Sequence, residues 1–367
     1  MKNFKMIAFL FAALTMSIGF TSCEKDLNEI IANENDMTDE ESDASKGENY
    51  VNKITNDRQL LVLSAPSVNN DYYYEDFYEI IGFMVDYANT IMHNDNVVVV
   101  ADNATMPYLK GKLPQDVLLK SKVKDIWMRD FTTVFPKKMI QFTYSPTYLP
   151  YNFSSNTQWS FVNFTDKYGL TYDYEDLILD GGNIVDNNKN RVITTERFLE
   201  DNYLTVAQGK QLLKEILGVQ YVSVIPYDDE VMGHADGMVM FSDDNTVLVN
   251  KYDEPFRSQV INTLKADLPN TKIVETDVTF DDTVWDDFAS ACGINLNSTV
   301  TDNFIYVPTF GSAAESSALQ TIESNTTKTV KTIDAQGVCH MGGSVRCLTW
   351  QAMGQNAKKL IEAARNY

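Results

Sequence analysis

Histidine and cysteine are scarce in this chain, and both shortages exclude chemistry. The histidines are His93, His234 and His340. No two of them share the spacing of metal ligands on one element, so the sequence gives no zinc site and implies no metal or organic cofactor. The cysteines are Cys23, Cys292, Cys339 and Cys347. Setting Cys23 aside, three thiols remain. At most one bridge can form among them, which excludes a disulfide scaffold and leaves an odd thiol to explain. Positive charge is also short: 30 Lys and Arg stand against 51 Asp and Glu, a net charge of −21. Such a field repels nucleic acid and favours small cations or basic peptides. Long apolar runs are missing as well. The basic start at Lys2 and Lys5, the short run from Met6 to Phe20 and the small residues before Cys23 read as an export signal over residues 1–22, not as a spanning helix.

Cys23 at that junction is similar to the lipidated cysteine of a bacterial lipobox. The similarity implies a mature chain beginning at a lipid-modified Cys23, anchored to a membrane of the cell envelope. Residues 24–48 carry ten acids and two lysines, a local net charge of −8. Their few large apolar residues cannot offset the entropy of ordering, so residues 23–54 read as an acidic, solvated tether. Residues 55–367 are then the folded domain. At 44% hydrophobic and 11% aromatic, the chain has material for a large core.

Within that domain a strand–strand–helix–strand unit recurs. One copy runs through 183–225, with its turn at Asn187-Asn188-Lys189-Asn190, a helix over Val206–Leu217 and a strand over Tyr221–Ile225. Another covers 238–275, and a third 298–333. Residues 127–135 and 139–142 read as a further hairpin. The ends are incomplete. A helix over 75–93 and a strand over 97–100 lack a hairpin before them, and the strand expected over 345–349, with the helix after it, lacks a final strand. Two such ends can complete one ring and remove exposed sheet edges.

The glycine-flanked polar clusters fall at or just before the first strand of successive units. They are Trp127-x-Arg129-Asp130, Asp180-Gly181-Gly182-Asn183, Gly233-His234-x-Asp236, Asn297 and Gly342-Gly343-x-x-x-Cys347-x-Thr349. A ring would bring them together. A thiol, an imidazole and separated carboxylates are the tools for nucleophilic attack on a bound cation.

In this order the five motifs resemble the family of agmatine deiminases and bacterial-type peptidylarginine deiminases, over roughly residues 55–367. The resemblance implies the pentein fold, a five-bladed α/β propeller. It also implies hydrolysis of a guanidinium group, in a small guanidino compound or an arginine-containing peptide, to a ureido product and ammonia. By the same resemblance Cys347 is the nucleophile and His234 the acid and base, while Asp130 and Asp236 grip the guanidinium. Trp127, Asp180, Asn183, Asn297 and Arg346 are expected around the substrate. Cys292 reads as an inert buried thiol. Cys339-His340 is a rival nucleophile pair, weakened because neighbours on a strand point to opposite faces.

The chain also departs from those relatives. Arg346 stands where agmatine deiminases carry histidine. No arginine lies between Arg129 and Arg191 to hold a substrate carboxylate. A catalytically silent lipoprotein that binds cations, an amidinotransferase of the same superfamily and a thiol peptidase are the competing readings. The peptidase is disfavoured because paired aspartates oppose a developing oxyanion.

Overall fold

In a computed structural model, residues 50–367 are described, apart from 230, 313 and 314. The expected export signal, Cys23 and the acidic stretch 24–48 lie outside the described residues. The folded unit begins at Tyr50, not at residue 55. Asn52 is fully buried, and its side-chain amide donates to the carbonyls of Val97 (2.8 Å) and Asp116 (2.9 Å). Polar bonding at Asn52, with Val51 packed against the core and Arg365 over the Tyr50 ring, holds 50–52 to the domain.

Five sheets share one plan: an antiparallel pair, then a helix, then a strand parallel to the second. Val185–Asp186 pairs antiparallel with Arg191–Thr195, which runs parallel to Tyr221–Ile225 across the helix Val206–Leu217. That helix opens with a capping box, in which Thr205 and Gln208 satisfy each other's backbone, and closes on left-handed Gly218. Val239–Asp243, Thr246–Asn250 and Lys272–Thr276 repeat the plan around the helix Phe256–Asp267. Thr299–Val300, Phe304–Thr309 and Thr329–Asp334 repeat it around Glu315–Ser324. Thr133–Val134, Ile140–Thr143 and Asp173–Ile178 repeat it around Tyr151–Tyr168.

The fifth sheet joins the two incomplete ends. Trp350–Ala352 pairs antiparallel with Leu60–Ser64, in the register Leu60 to Ala352 and Val62 to Trp350. Leu60–Ser64 then runs parallel to Asn96–Ala101, across the helix Phe77–Met92, and Leu118–Lys120 extends the sheet. Both longer strands are buried along their whole length, as central parallel strands between packed layers should be. Trp350 seals the junction: it is fully buried against Phe161 and Phe164, and its indole donates to Thr133 Oγ1 at 2.8 Å.

Two expected strands are different objects, and both lie at the polar clusters. Residues 127–132 make a bend and the short helix Met128–Phe131, because Asp130 N bonds back to the Trp127 carbonyl and Arg129 N to the Cys347 carbonyl. Residues 344–349 coil likewise: Leu348 N donates to Ser344 O and Thr349 N to Arg346 O.

Cys292 is not a free thiol. It is bonded to Cys339, 47 residues away. The same bond removes Cys339 as a nucleophile. Cys339 ends the short helix Gln336–Cys339 and is not on a strand, and His340 pairs with Asp76 at 3.1 Å.

Candidate active site

Cys347 is the free cysteine among the described residues, and it is 7% exposed. Asn297 arranges it. The Asn297 amide donates to Sγ at 3.1 Å, and its oxygen accepts from the Ser344 hydroxyl at 3.0 Å and from Cys347 N at 3.4 Å. Asp236 Oδ2 lies 3.8 Å from Sγ. Burial pushes the thiol well above its ordinary pKa, Asp236 and Asp130 push it further, and the Asn297 bond works against them.

His234 sits between carboxylates. Nε2 is 3.1 Å from Asp180 Oδ2, and Nδ1 is 3.7 Å from Asp130 Oδ1. Burial disfavours its charge, but Asp130, Asp180 and Asp236 outweigh burial and raise its pKa to about 9. Asp130 is raised to about 7. Burial is the main cause, His234 opposes it, and repulsion from Asp180 and Asp236 adds to it. Burial also raises Asp236, against the pull of Arg346, His234 and Arg129. Crowded buried carboxylates around one imidazole make a place where an added cation relieves repulsion.

Glycine lets these groups converge. A Cβ on Gly182 would stand 2.5 Å from His234 Nδ1 and 2.7 Å from Asp130 Oδ1, and Gly182 N donates to that same oxygen at 3.0 Å. A Cβ on Gly343 would meet the Trp127 ring at 2.5 Å and the Cys347 Cβ at 3.0 Å. Backbone packed so close admits no side chain.

Two cavities meet at Cys347 and His234. The larger, of about 570 Å³, is also lined by Asp236 and Asn297 and by four further aspartates: Asp228, Asp229, Asp281 and Asp282. The smaller, of about 50 Å³, is aromatic, with Trp127, Tyr148, Trp285 and Phe288 beside Asp130. Among the described residues, neither is lined by Lys or Arg.

The structure thus brings Cys347, His234, Asp130, Asp236, Asn297 and Trp127 to one place. Asp180 contacts His234 but lines neither cavity. Asn183 also lines neither. Its oxygen accepts from Thr195 N (3.0 Å) and Ala235 N (3.3 Å), so it ties two sheets together. Arg346 is not at the substrate side. It lines a separate polar cavity of about 400 Å³, with Asp186 and Lys328. Tyr148 was not singled out by sequence. Its hydroxyl donates to Asp180 Oδ2 at 2.6 Å and lies 3.4 Å from His234 Nε2. No glycine or acidic neighbour marks it, so no local signal points to it. Trp285 and Phe288 were also missed, although an aromatic inside the acidic run 281–287 and another just after it are a visible anomaly. Among the described residues, no group of His, Cys, Asp or Glu is arranged to hold a metal ion.

The profile of the Porphyromonas-type peptidyl-arginine deiminases matches residues 55–352. The chain belongs to that family. Membership makes it one of the guanidino-group deiminases, hydrolases acting on guanidino C–N bonds. A crystal structure described as a candidate peptidyl-arginine deiminase is 21% identical with a TM-score of 0.68, covering 81% of this chain and 96% of that one. Agmatine deiminase of C. jejuni is 18% identical with a TM-score of 0.66, covering 81% and 94%. Agmatine deiminase of Enterococcus faecalis is 15% identical with a TM-score of 0.64, covering 80% and 93%. At these identities the likeness is one of fold, shared with pentein-type deiminases. No curated protein sequence matches the chain.

Proposed function

We infer that this deiminase hydrolyses a guanidinium through a covalent intermediate on Cys347, and that its five sheets are the blades of a propeller around a pseudo-fivefold axis. The observation that carries the chemistry is the Asn297 amide at 3.1 Å from Cys347 Sγ, with Asp236 Oδ2 at 3.8 Å from the same sulfur. A nucleophile held beside a carboxylate suits a cationic electrophile, whose charge the carboxylate offsets.

Asp130 and Asp236 bind the guanidinium nitrogens by charge-assisted hydrogen bonds. Its positive charge offsets the two acids that hold the thiol protonated, so substrate binding itself favours the thiolate. Sγ attacks the central carbon perpendicular to the guanidinium plane. The C–N bond breaks, and ammonia leaves with a proton from His234, which is charged at neutral pH. An S-alkylthiouronium remains. His234, now neutral, takes a proton from water. Hydroxide adds to the carbon, the C–S bond breaks, the added hydroxyl passes its remaining proton to solvent as it becomes the ureido carbonyl, and the product leaves Cys347 as thiolate.

The cavities narrow the substrate. Without Lys or Arg in their walls, a carboxylate next to the reacting arm has no partner, and the aspartates of the larger cavity repel it. The substrate is therefore agmatine or an arginine within a basic peptide, and free or carboxy-terminal arginine is handled poorly. The test is ammonia release by residues 24–367 from agmatine, an internal arginyl peptide, a carboxy-terminal arginyl peptide and free arginine. The first two are expected to exceed the others by at least tenfold in kcat/KM. Absence of ammonia from all four would overturn the reaction, and equal use of free arginine would overturn the substrate class.

A further inference from the structure

Arg346 lies on the side of Asp236 remote from the substrate cavities. Its Nε stands 3.5 Å from Asp236 Oδ2, the oxygen that also faces Cys347 Sγ. Its terminal Nη2 donates to the Ile184 carbonyl at 2.7 Å, which fixes the guanidinium in place. Its backbone N donates to the Asn297 carbonyl at 3.1 Å, so the residue is tied to the segment that aims the thiol. It is 6% exposed and lines the polar cavity of about 400 Å³, while Cys347, the next residue, lines the other two.

The detail that matters is how Arg346 meets Asp236. Nε is buried and makes no hydrogen bond. It supplies positive charge to Asp236 across 3.5 Å without taking up a carboxylate lone pair. Asp236 is otherwise in an awkward position. It is buried, it faces the Cys347 thiol, and it shares the site with Asp130. The positive groups that face it are Arg346, His234 and Arg129. His234 is engaged by Asp130 and Asp180, and Arg129 is turned to Gln351, its Nη2 donating to Oε1 at 3.0 Å. Arg346 is the one that the structure places directly against the Asp236 carboxylate.

We propose that Arg346 is a positioning residue that holds Asp236 as an ionised, uncommitted acceptor, ready for the substrate's guanidinium, from behind the site. The inference rests on the reading of Asp236 as a guanidinium ligand. It goes beyond that reading by assigning the readiness of the ligand to a residue that never meets substrate. Losing the charge leaves Asp236 buried among acids without its nearest counter-ion. It is then protonated at higher pH, and binding weakens before chemistry does.

The test uses the best substrate of the wild-type enzyme, so a wild type without activity would count against the reaction and not against this residue. In Arg346→Met the side chain keeps its length and loses its charge. We expect kcat/KM at pH 7 to fall about tenfold or more, mainly through KM. The acid limb of the kcat/KM profile is set by Asp130 in the wild type; in the variant we expect it to steepen and move upward by on the order of one pH unit as Asp236 joins Asp130 in taking up a proton, the usual effect of removing an opposite charge at this range. Arg346→Lys keeps a charge at the same place and should keep the limb within a few tenths of a unit. A merely structural role, through the bond to Ile184, would lower the melting temperature in both variants and leave both limbs where they are. If Arg346→Met folds with wild-type KM and acid limb, the proposal is wrong. If it does not fold, Arg346→Lys decides: a wild-type limb supports the proposal, and a limb displaced by a full unit refutes it.

Discussion

The site residues divide by what their neighbours do to them. His234 has its pKa raised to about 9 and Asp130 to about 7, although both are buried together. The sign of each effect on activity follows. Below about 7 Asp130 takes a proton and loses its grip on a cation, so kcat/KM falls as pH drops. Above about 9 His234 loses the proton that ammonia needs, so activity falls again. We therefore expect a bell-shaped kcat/KM profile with limbs near pH 7 and 9, and Tyr148→Phe should move only the alkaline one, because Tyr148 touches Asp180 and His234. A flat profile between pH 6 and 10 would contradict the assignment of both groups. At this scale much was legible in the sequence. Glycines beside Asp180, His234 and Cys347 advertised close backbone approach, and Gly182 and Gly343 need it. The direction of each side chain was not legible. Arg346, Asp180 and Asn183 sit inside the right motifs but line neither of the cavities that meet at Cys347 and His234, because a motif fixes a residue's place along the chain and not the cavity its side chain enters.

Among the elements, the helix Val206–Leu217 has the bounds its apolar spacing predicts and buries Leu213 and Leu217, although Val206 at its start is exposed. The helix Tyr151–Tyr168 was invisible for the opposite reason. Its buried face includes Ser154, Thr157, Ser160 and Thr165, so the apolar period that announces a helix is missing. Ser160 earns its burial by polar bonding: its hydroxyl donates to the Thr157 carbonyl at 2.7 Å and accepts from Lys124 N at 3.0 Å. The hairpin Val284–Trp285 with Phe288–Ala289 turns through Asp286 and Asp287, both at positive φ, and sets its two aromatics over the smaller cavity. The Cys292–Cys339 bond fastens the chain just after this hairpin to the segment leading to Cys347, supported by Ala291 N bonding to the Cys339 carbonyl at 2.9 Å. Closing a loop of that length restricts the unfolded chain, so Cys292→Ser with Cys339→Ser should cost about 2–4 kcal/mol in denaturant unfolding. The same double variant should keep its reactive thiol at Cys347. An unchanged midpoint would show that the bond constrains nothing the fold needs.

For the molecule as a whole, the repeat was the legible feature and the joining of its ends was an inference from incompleteness. Leu60–Ser64 with Trp350–Ala352 makes that inference concrete, since the first and last strands lie in one sheet. The consequence is chemical. Asp130, His234, Asp236, Asn297 and Cys347 span more than half of the chain, and the fold brings them to two cavities that meet at His234 and Cys347, Asp130 lining the smaller and Asp236 and Asn297 the larger. Family membership gives the reaction class, and the nucleophile we propose is the Cys347 Sγ. That atom can be caught directly. Wild-type enzyme turning over agmatine or an arginyl peptide is quenched in acid, digested and weighed by mass spectrometry. The account predicts an adduct of substrate minus ammonia on the peptide that contains Cys347, absent from Cys347→Ser, which should be slower by roughly 10³-fold or more. Ammonia release at the wild-type rate from Cys347→Ser, or turnover with the adduct on another residue, would contradict it.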